Sequence, residues 1–203
     1  MKYAYPRHRS LILKWLKEDQ ARLTALGKKL NGLYDLDSKI QAIKPVAKAC
    51  QLRAVEVLDL LNEIHEPIKT NIGLDGSEAI IILTLHSNVT YMEKVLHIYE
   101  ECIEKDPSSI ASDSVASLVD RVGLVKTGSQ KLGTIWLEDE NGSSFIPPIQ
   151  EIESVNKRRI RYRLGPIVNR VTGDNTIEAI KKLQKPVPQD IYDLNFVFMN
   201  MEL

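Results

Sequence analysis

The sequence contains few cysteines, few aromatic residues and no excess of either sign of charge. Two of its 203 residues are cysteines, Cys50 and Cys102, and their separation matches no metal-ligand spacing. This scarcity argues against a disulfide-stabilised fold and suggests two buried thiols in a reducing compartment. Lys plus Arg equals Asp plus Glu at 27 each, so net charge gives no general attraction to nucleic acid or to an anionic membrane.

Long apolar runs are also missing. No segment reaches the roughly 18 consecutive apolar residues of a membrane-spanning helix, and the first residues lack an apolar core of signal-peptide length. We therefore expect a soluble, cytoplasmic protein that does not enter a membrane. A chain of 203 residues can bury a core of its own, and one domain is the simplest arrangement.

Apolar residues at three- and four-residue steps predict a mainly α-helical chain. The pattern continues to about Lys126, and the run Ala79–Leu85 is apolar on all sides, which is typical of a buried helix. Alternating residues and an Asn-Gly turn then predict a β-hairpin at about 132–146. We predict a single-domain helical bundle of about six or seven helices with one β-hairpin. Residues 1–167 would form the helical domain, and residues 168–203 a C-terminal helix and docking tail of the same domain.

One carboxylate falls inside the apolar stripe of the first helix. At about 100° per residue, Asp19 points in nearly the direction shared by Ile12 and Leu23. A buried carboxylate must be paired or hydrogen-bonded, and Arg22, three residues on, offers a local ion pair. The alternative is that Asp19 forms the wall of a polar pocket.

Two further polar residues stand out on later helices. His86 ends the buried helix, where a histidine is more often a capping or core residue than a catalyst. Asp120 points about 100° or more away from the apolar stripe of its helix, so periodicity predicts that its side chain is exposed.

A basic run near the end of the chain can be interpreted in two ways. It consists of Lys157, Arg158, Arg159, Arg161 and Arg163. Such a run can contact nucleic acid, but no aromatic platform or glycine-rich clamp accompanies it. Acidic residues lie nearby in the sequence, so we favour a solvated, ion-paired face over nucleic-acid contact.

Short polar blocks recur in a fixed order over roughly residues 10–167. They are Glu18-Asp-Gln-Ala-Arg22, His65-Glu-Pro67, Leu85-His-Ser-Asn88, Asp120-Arg-Val122, Gly128-Ser-Gln-Lys-Leu-Gly-Thr-Ile135, and Arg158-Arg159 with Leu164-Gly-Pro166. The ordered set resembles a bacterial domain family of unknown function, number sixty-six twenty-four in the unknown-function series. The resemblance implies that the family keeps one group of positions polar together: Asp19, Gln20, His86, Asp120, Arg121, Gln130 and Thr134.

Three positions depart from the family's pattern. Leu85 stands where the family has glutamine, Asn88 where it has aspartate, and Ile135 where it has glutamine. If those groups carry chemistry in the family, this chain has lost it and kept a fold or a binding role. The resemblance carries no known activity.

The first functional hypothesis is a small-molecule-binding or enzymatic pocket around His86. His86, Asp120 and Arg121 would be catalytic, with Asp19 or Asp120 orienting His86 for proton transfer and Arg121 holding a small anionic ligand. The ligand-binding residues would be Asp19, Gln20, Gln130 and Thr134. No metal is expected, because no spacing typical of metal ligands supports a site made of His86 and the two carboxylates. No motif in the sequence identifies a cofactor.

The alternative hypothesis is a non-catalytic protein-interaction module. The same polar residues would then form a structural network that ties the helices to the hairpin. The C-terminal tail, residues 185–199, is apolar for an end segment and would contact the body or a protein partner.

Overall fold

The structure is a computed structural model, and it describes residues 2–139, 141–170 and 172–189. Within these residues the chain is mainly α-helical with one two-stranded hairpin, which confirms the predicted fold class. The helices are α1 (Pro6–Leu30), α2 (Leu36–Ile64), α3 (Lys69–Leu85), α4 (Val89–Lys105), α5 (Ser112–Thr127), α6 (Val155–Ile160) and α7 (Ile177–Lys181). The strands are β1 (Leu137–Glu138) and β2 (Ser144–Phe145).

The chain forms two compact units. The first runs to Ala111 and holds α1 to α4, and the second covers Ser112–Pro188 and holds α5, the hairpin, α6 and α7. The predicted grouping of residues 1–167 and 168–203 stays a prediction. Most of the predicted docking tail, residues 185–199, lies outside the described residues.

The core of the first unit is built around α3. Ile80, Ile81 and Leu83 of this helix are buried on different sides, and α3 packs against α1, α2 and α4. The prediction that the run Ala79–Leu85 is a buried helix is therefore confirmed. Each such side chain contributes about 1.5–3 kcal/mol when it is removed from water, so the burial of α3 helps to stabilise this unit.

The second unit has a smaller core of branched aliphatic residues. Its members are Ile146, Ile149, Ile152, Val155, Ile167 and Ile180, and Trp136 packs against them. Both cysteines lie in the first unit as free, buried thiols, as predicted. Among the described residues, no helix combines the length and apolar character needed to cross a membrane.

The hairpin is confirmed but is shorter than the predicted 132–146. Leu137 pairs with Phe145 and Glu138 with Ser144, and the ladder extends no further towards residue 132. The reason is that side chains use the backbone N–H groups of the preceding residues. Asp120 accepts from Leu132 and Thr134, and Gln130 accepts from Ile135. These N–H groups are therefore not available for a second strand.

Gly133 lies in this loop and is the residue that brings it against the core. Its φ is +70°, and a Cβ atom there would lie 2.3 Å from Cδ1 of Ile167. Gly142, in the turn between the strands, has a similar φ of +73°, but a Cβ atom added there would meet no atom within 4 Å. Both glycines therefore adopt a left-handed backbone conformation that favours glycine. Of the two, only Gly133 also lies where a Cβ atom would clash with a neighbouring side chain.

We predict that Gly133→Ala lowers the free energy of unfolding by about 2–4 kcal/mol, from the left-handed backbone and from overpacking. Gly142→Ala is the matched control and is expected to cost about 1–2 kcal/mol, because it meets the backbone penalty alone. Urea denaturation of the two variants and the wild type measures both values. Equal losses would contradict the close packing of Gly133 on Ile167.

Candidate functional site

Five of the seven predicted site residues form two groups, one in each unit. In the first unit, Asp19 is 1% exposed, and its carboxylate accepts hydrogen bonds from two distant residues. Nδ1 of His86 donates to Oδ2 at 2.9 Å, and Sγ of Cys50 donates to Oδ1 at 3.2 Å. Arg22 lies 3.4 Å from Oδ1, so the predicted local ion pair is present as well. Asp19 is thus both locally paired and part of a polar cluster, which we call the Asp19 cluster.

The helix ends position His86 in this cluster. His86 is the first residue beyond α3, and its backbone has left the helical conformation. Asn88 caps the next helix, α4, by accepting a hydrogen bond from the backbone N–H of Tyr91 at 3.1 Å. Asparagine and aspartate are about equally good at this capping position. Asn88 therefore supplies the capping interaction that holds the turn after His86.

The ionisation state of Asp19 determines which nitrogen of His86 carries the ring proton. Burial raises the pKa of Asp19, but the hydrogen bond and charge of His86, with contributions from Cys50 and Arg22, outweigh it and hold the pKa below its ordinary value. An ionised carboxylate can accept hydrogen bonds but cannot donate them. Nδ1 of His86 therefore carries the proton, and in the neutral ring the lone pair is on Nε2.

Nε2 of His86 is the unengaged atom of the cluster. Within residues 2–139, 141–170 and 172–189 it has no hydrogen-bond partner, and the His86 side chain is 28% exposed. The histidine is thus anchored through one nitrogen in the interior while part of its ring reaches solvent. This arrangement allows proton exchange at Nε2.

Cys50 supports the carboxylate and is not itself reactive. Burial, followed by the negative charge and hydrogen bond of Asp19, raises the pKa of the Cys50 thiol to about 12. A thiol with such a pKa stays protonated near neutral pH, and the thiol form is a poor nucleophile. Sequence reasoning did not connect Cys50 to the site, because the two residues are 31 positions apart on different helices.

The second group of site residues surrounds Asp120 on α5. Periodicity predicted that Asp120 is exposed, and this prediction is wrong: the residue is 0% exposed. The loop of residues 131–134 covers this face of α5. Oδ1 accepts from the N–H groups of Lys131 and Leu132, and Oδ2 accepts from the N–H and the hydroxyl of Thr134, all at 2.7–2.8 Å.

All the acceptor capacity of the Asp120 carboxylate is directed to this loop. Burial raises the pKa of Asp120, and the hydrogen bonds from Thr134, Leu132 and Lys131 oppose the rise without cancelling it. The partners are three backbone N–H groups and one hydroxyl of the same loop. Asp120 is therefore a structural anchor, and no lone pair is left facing a substrate.

Gln130 has a similar structural role one residue earlier in the loop. Its amide nitrogen donates to the carbonyl oxygens of Ile135 and Pro147, and its amide oxygen accepts from the N–H of Ile135. The side chain is completely buried. It thus joins the start of the loop to the chain leaving β2, where Pro147 has no N–H of its own to contribute.

Two arginines of the basic run also bind this loop, whereas Lys157, Arg161 and Arg163 are exposed, as predicted for a solvated face. Nε of Arg158 donates to the carbonyl oxygen of Lys131 at 2.9 Å. Nη1 of Arg159 donates to that of Leu132 at 2.6 Å, and Nε donates to Gly165 at 2.6 Å. The ion-paired interpretation is incomplete for these two arginines, because their main partners are backbone carbonyls. Arg158 also has a long ion pair with Glu151, at 3.8 Å.

Two predicted site residues join neither group. Gln20 lies exposed on α1. Nε of Arg121 is buried and has no hydrogen-bond partner in the described part of the chain, and burial lowers the pKa of this guanidinium. The ligand-holding roles predicted for both stay predictions. Among the described residues, no group of three or more His, Cys, Asp and Glu side chains could hold a metal ion.

No family model, curated protein or solved structure matches the sequence. The resemblance to the domain family of unknown function therefore stays a prediction.

We predict that Asp120→Asn lowers the free energy of unfolding by about 3–5 kcal/mol, as for other broken buried polar networks. The variant places an NH₂ group against N–H donors of the loop, so hydrogen bonds are lost and donors are left unpaired. Asp113→Asn, on the exposed face of the same helix, is the control and should change stability by about 0.5 kcal/mol or less. Urea denaturation tests the pair, and a small loss for Asp120→Asn would contradict the anchoring role.

Proposed function

We propose that the first unit carries a proton-transfer site in which His86 is the general base and acid and Asp19 orients it. The observation that carries the proposal is the 2.9 Å bond between Nδ1 of His86 and the buried carboxylate of Asp19, with Nε2 unengaged among the described residues. A histidine held in this way is suited to moving protons near neutral pH.

The Asp19 carboxylate would contribute in two ways. It holds the ring in the tautomer whose Nε2 can accept a proton, as the equivalent aspartate does in Ser-His-Asp triads. When Nε2 takes a proton from the substrate or from water, the positive ring is stabilised by the adjacent negative charge. Cys50 and Arg22 occupy the other oxygen of the carboxylate, so its orientation is set by three partners.

The nucleophile in such a reaction would be water. Cys50, the thiol in the Asp19 cluster, stays protonated because its pKa is raised to about 12. The proposed step is removal of a proton by Nε2 as water attacks a carbonyl carbon, followed by return of that proton to the leaving oxygen. This describes hydrolysis of a small ester, with no covalent intermediate on the protein.

In this proposal His86 and Asp19 take part in the reaction, and Asp120 and Gln130 do not. Their hydrogen-bonding groups are directed to the loop of the second unit. This observation supports the structural network of the alternative hypothesis. The protein partner of that hypothesis depends on the C-terminal tail, most of which lies outside the described residues.

We predict that His86→Gln lowers kcat/KM for hydrolysis of chromogenic esters of small carboxylic acids by about 10²–10⁴-fold, the usual contribution of a general base. Asp19→Asn should also lower kcat/KM, because an amide can hold the ring in the other tautomer. The control is His97→Gln on α4, whose side chain is 77% exposed and lies 3.4 Å from a carboxylate oxygen of Glu101, and it should leave the rate unchanged.

A second readout is independent of the choice of ester. The ¹⁵N chemical shifts of His86 should show the Nδ1-protonated tautomer in the wild type and lose this preference in Asp19→Asn. Hydrolysis that is absent, or that is equal in wild type and His86→Gln, would contradict the proposed reaction. A wild-type ring protonated on Nε2 would contradict the orienting role of Asp19.

A further inference from the structure

The second unit contains a cavity of about 410 Å³, which is within the usual range of about 300–1,000 Å³ for small-molecule sites. Its walls come from the first turns of α5, from the loop around Thr134, from Arg159 of α6, and from the segment that follows α6. All the lining residues belong to this unit, and His86 and Asp19 are not among them. The cavity is therefore separate from the proposed proton-transfer site.

Two arginines line the cavity without a carboxylate at ion-pair distance in the described chain, although the charge of buried Asp120 acts on Arg159. Arg159 is held by backbone carbonyls through Nε and Nη1, and its Nη2 has no hydrogen-bond partner in those residues. Nη2 of Arg170 lies 3.5 Å from the carbonyl oxygen of Thr134, and its side chain is exposed. By contrast, Arg9, Arg22, Arg53 and Arg158 each have a carboxylate partner.

This pair of arginines favours an anion in the cavity. Guanidinium groups bind phosphate and carboxylate oxygens through parallel N–H donors. Arg159 is already immobilised by its two carbonyl partners, so little side-chain freedom would be lost when its remaining nitrogen binds a ligand. Arg170 is anchored beside it by the face of Trp136, which its guanidinium carbon approaches to 5.4 Å.

The wall formed by α5 has the opposite chemistry. Asp113, Ser114 and Ser117 line it, so this wall has an acidic residue and two serines, and the Ser117 hydroxyl donates to the backbone carbonyl of Asp113 at 3.5 Å. One oxygen of Asp113 accepts from the backbone N–H of Ser114 at 2.9 Å. A second anionic group on this side would be repelled by Asp113, whereas hydroxyl groups of a ligand could donate to it. This wall favours a polyhydroxylated ligand body.

Trp136 and neighbouring apolar side chains form the remaining surface. Trp136 is partly buried against the core of this unit, and Leu164, Ile167 and Val168 also line the cavity. The faces of sugar rings are apolar while their edges carry hydroxyls, so an indole beside hydrogen-bonding groups suits such a ring. The cavity thus combines an anion site, an indole and a hydroxyl-binding wall.

We propose that this cavity binds a phosphorylated sugar, either free or as the sugar phosphate part of a nucleotide. Arg159 and Arg170 bind the phosphate, and the ring lies against the apolar surface of Leu164, Ile167 and Val168, beside the edge of Trp136. The sugar hydroxyls contact Asp113, Ser114 and Ser117 on α5.

The test is a titration of the folded 203-residue chain, monitored through its two indole N–H signals by NMR. The probes are glucose 6-phosphate and adenosine monophosphate, with glucose, adenosine and inorganic phosphate as their parts. The signal of Trp136 should shift on addition of the phosphorylated probes and respond much less to the parts. Trp15, which packs against Arg53 in the first unit, is the internal control and should not shift.

Arg170→Gln should raise the Kd of the bound probe about tenfold or more, as expected for loss of one charge-assisted contact. Arg170 is exposed, so this variant should fold normally. The matched control is Lys157→Gln, which removes one exposed positive charge of α6 outside the cavity lining and should leave the Kd unchanged.

Three results would overturn the proposal. They are no shift of Trp136 with either phosphorylated probe at millimolar concentration, equal effects of Arg170→Gln and Lys157→Gln, and inorganic phosphate binding as tightly as the sugar phosphates. A preference for glucose 6-phosphate or for adenosine monophosphate would show which form of the sugar phosphate the cavity takes. None of these results depends on His86, so the two proposals can fail separately.

Discussion

The second unit depends on one buried carboxylate and the loop that satisfies it. Asp120 accepts four hydrogen bonds from Lys131, Leu132 and Thr134, which offset the cost of removing the carboxylate from water. The same bonds keep the loop out of the hairpin ladder, and its carbonyl groups are then free to accept from Arg158 and Arg159. Through Thr134 and Arg159, this arrangement also shapes the cavity wall.

The first unit also contains a buried carboxylate that is fully hydrogen-bonded, but one of its partners is a side chain that can transfer a proton. Asp19 is as deeply buried as Asp120, but its partners are side chains of His86, Cys50 and Arg22 and not backbone groups. A backbone N–H group that already donates to a carboxylate has no other donor or acceptor atom to offer a substrate. An imidazole bonded through Nδ1 still has Nε2, and that difference is why we propose proton transfer for the first unit and a structural role for Asp120.

The fold class could be predicted because helix periodicity is a local property. The buried run Ala79–Leu85 and the burial of Asp19 both follow from residues within a few turns of the same helix. The ion pair with Arg22 was predictable for the same reason, since residues three apart on a helix are neighbours. The burial of Asp120 was not, because the loop that covers it lies 11–14 residues further along the chain.

The sequence by itself determined the helices, the approximate place of the hairpin, the free buried thiols and the paired carboxylate in α1. Each of these depends on composition or on spacing within one element. The tertiary structure alone decided that Cys50 and His86 meet at Asp19, and that Arg159, Arg170 and Trp136 line one cavity. Such contacts join residues far apart in the chain, and their distances are set by how the helices and loops pack, which no local pattern encodes.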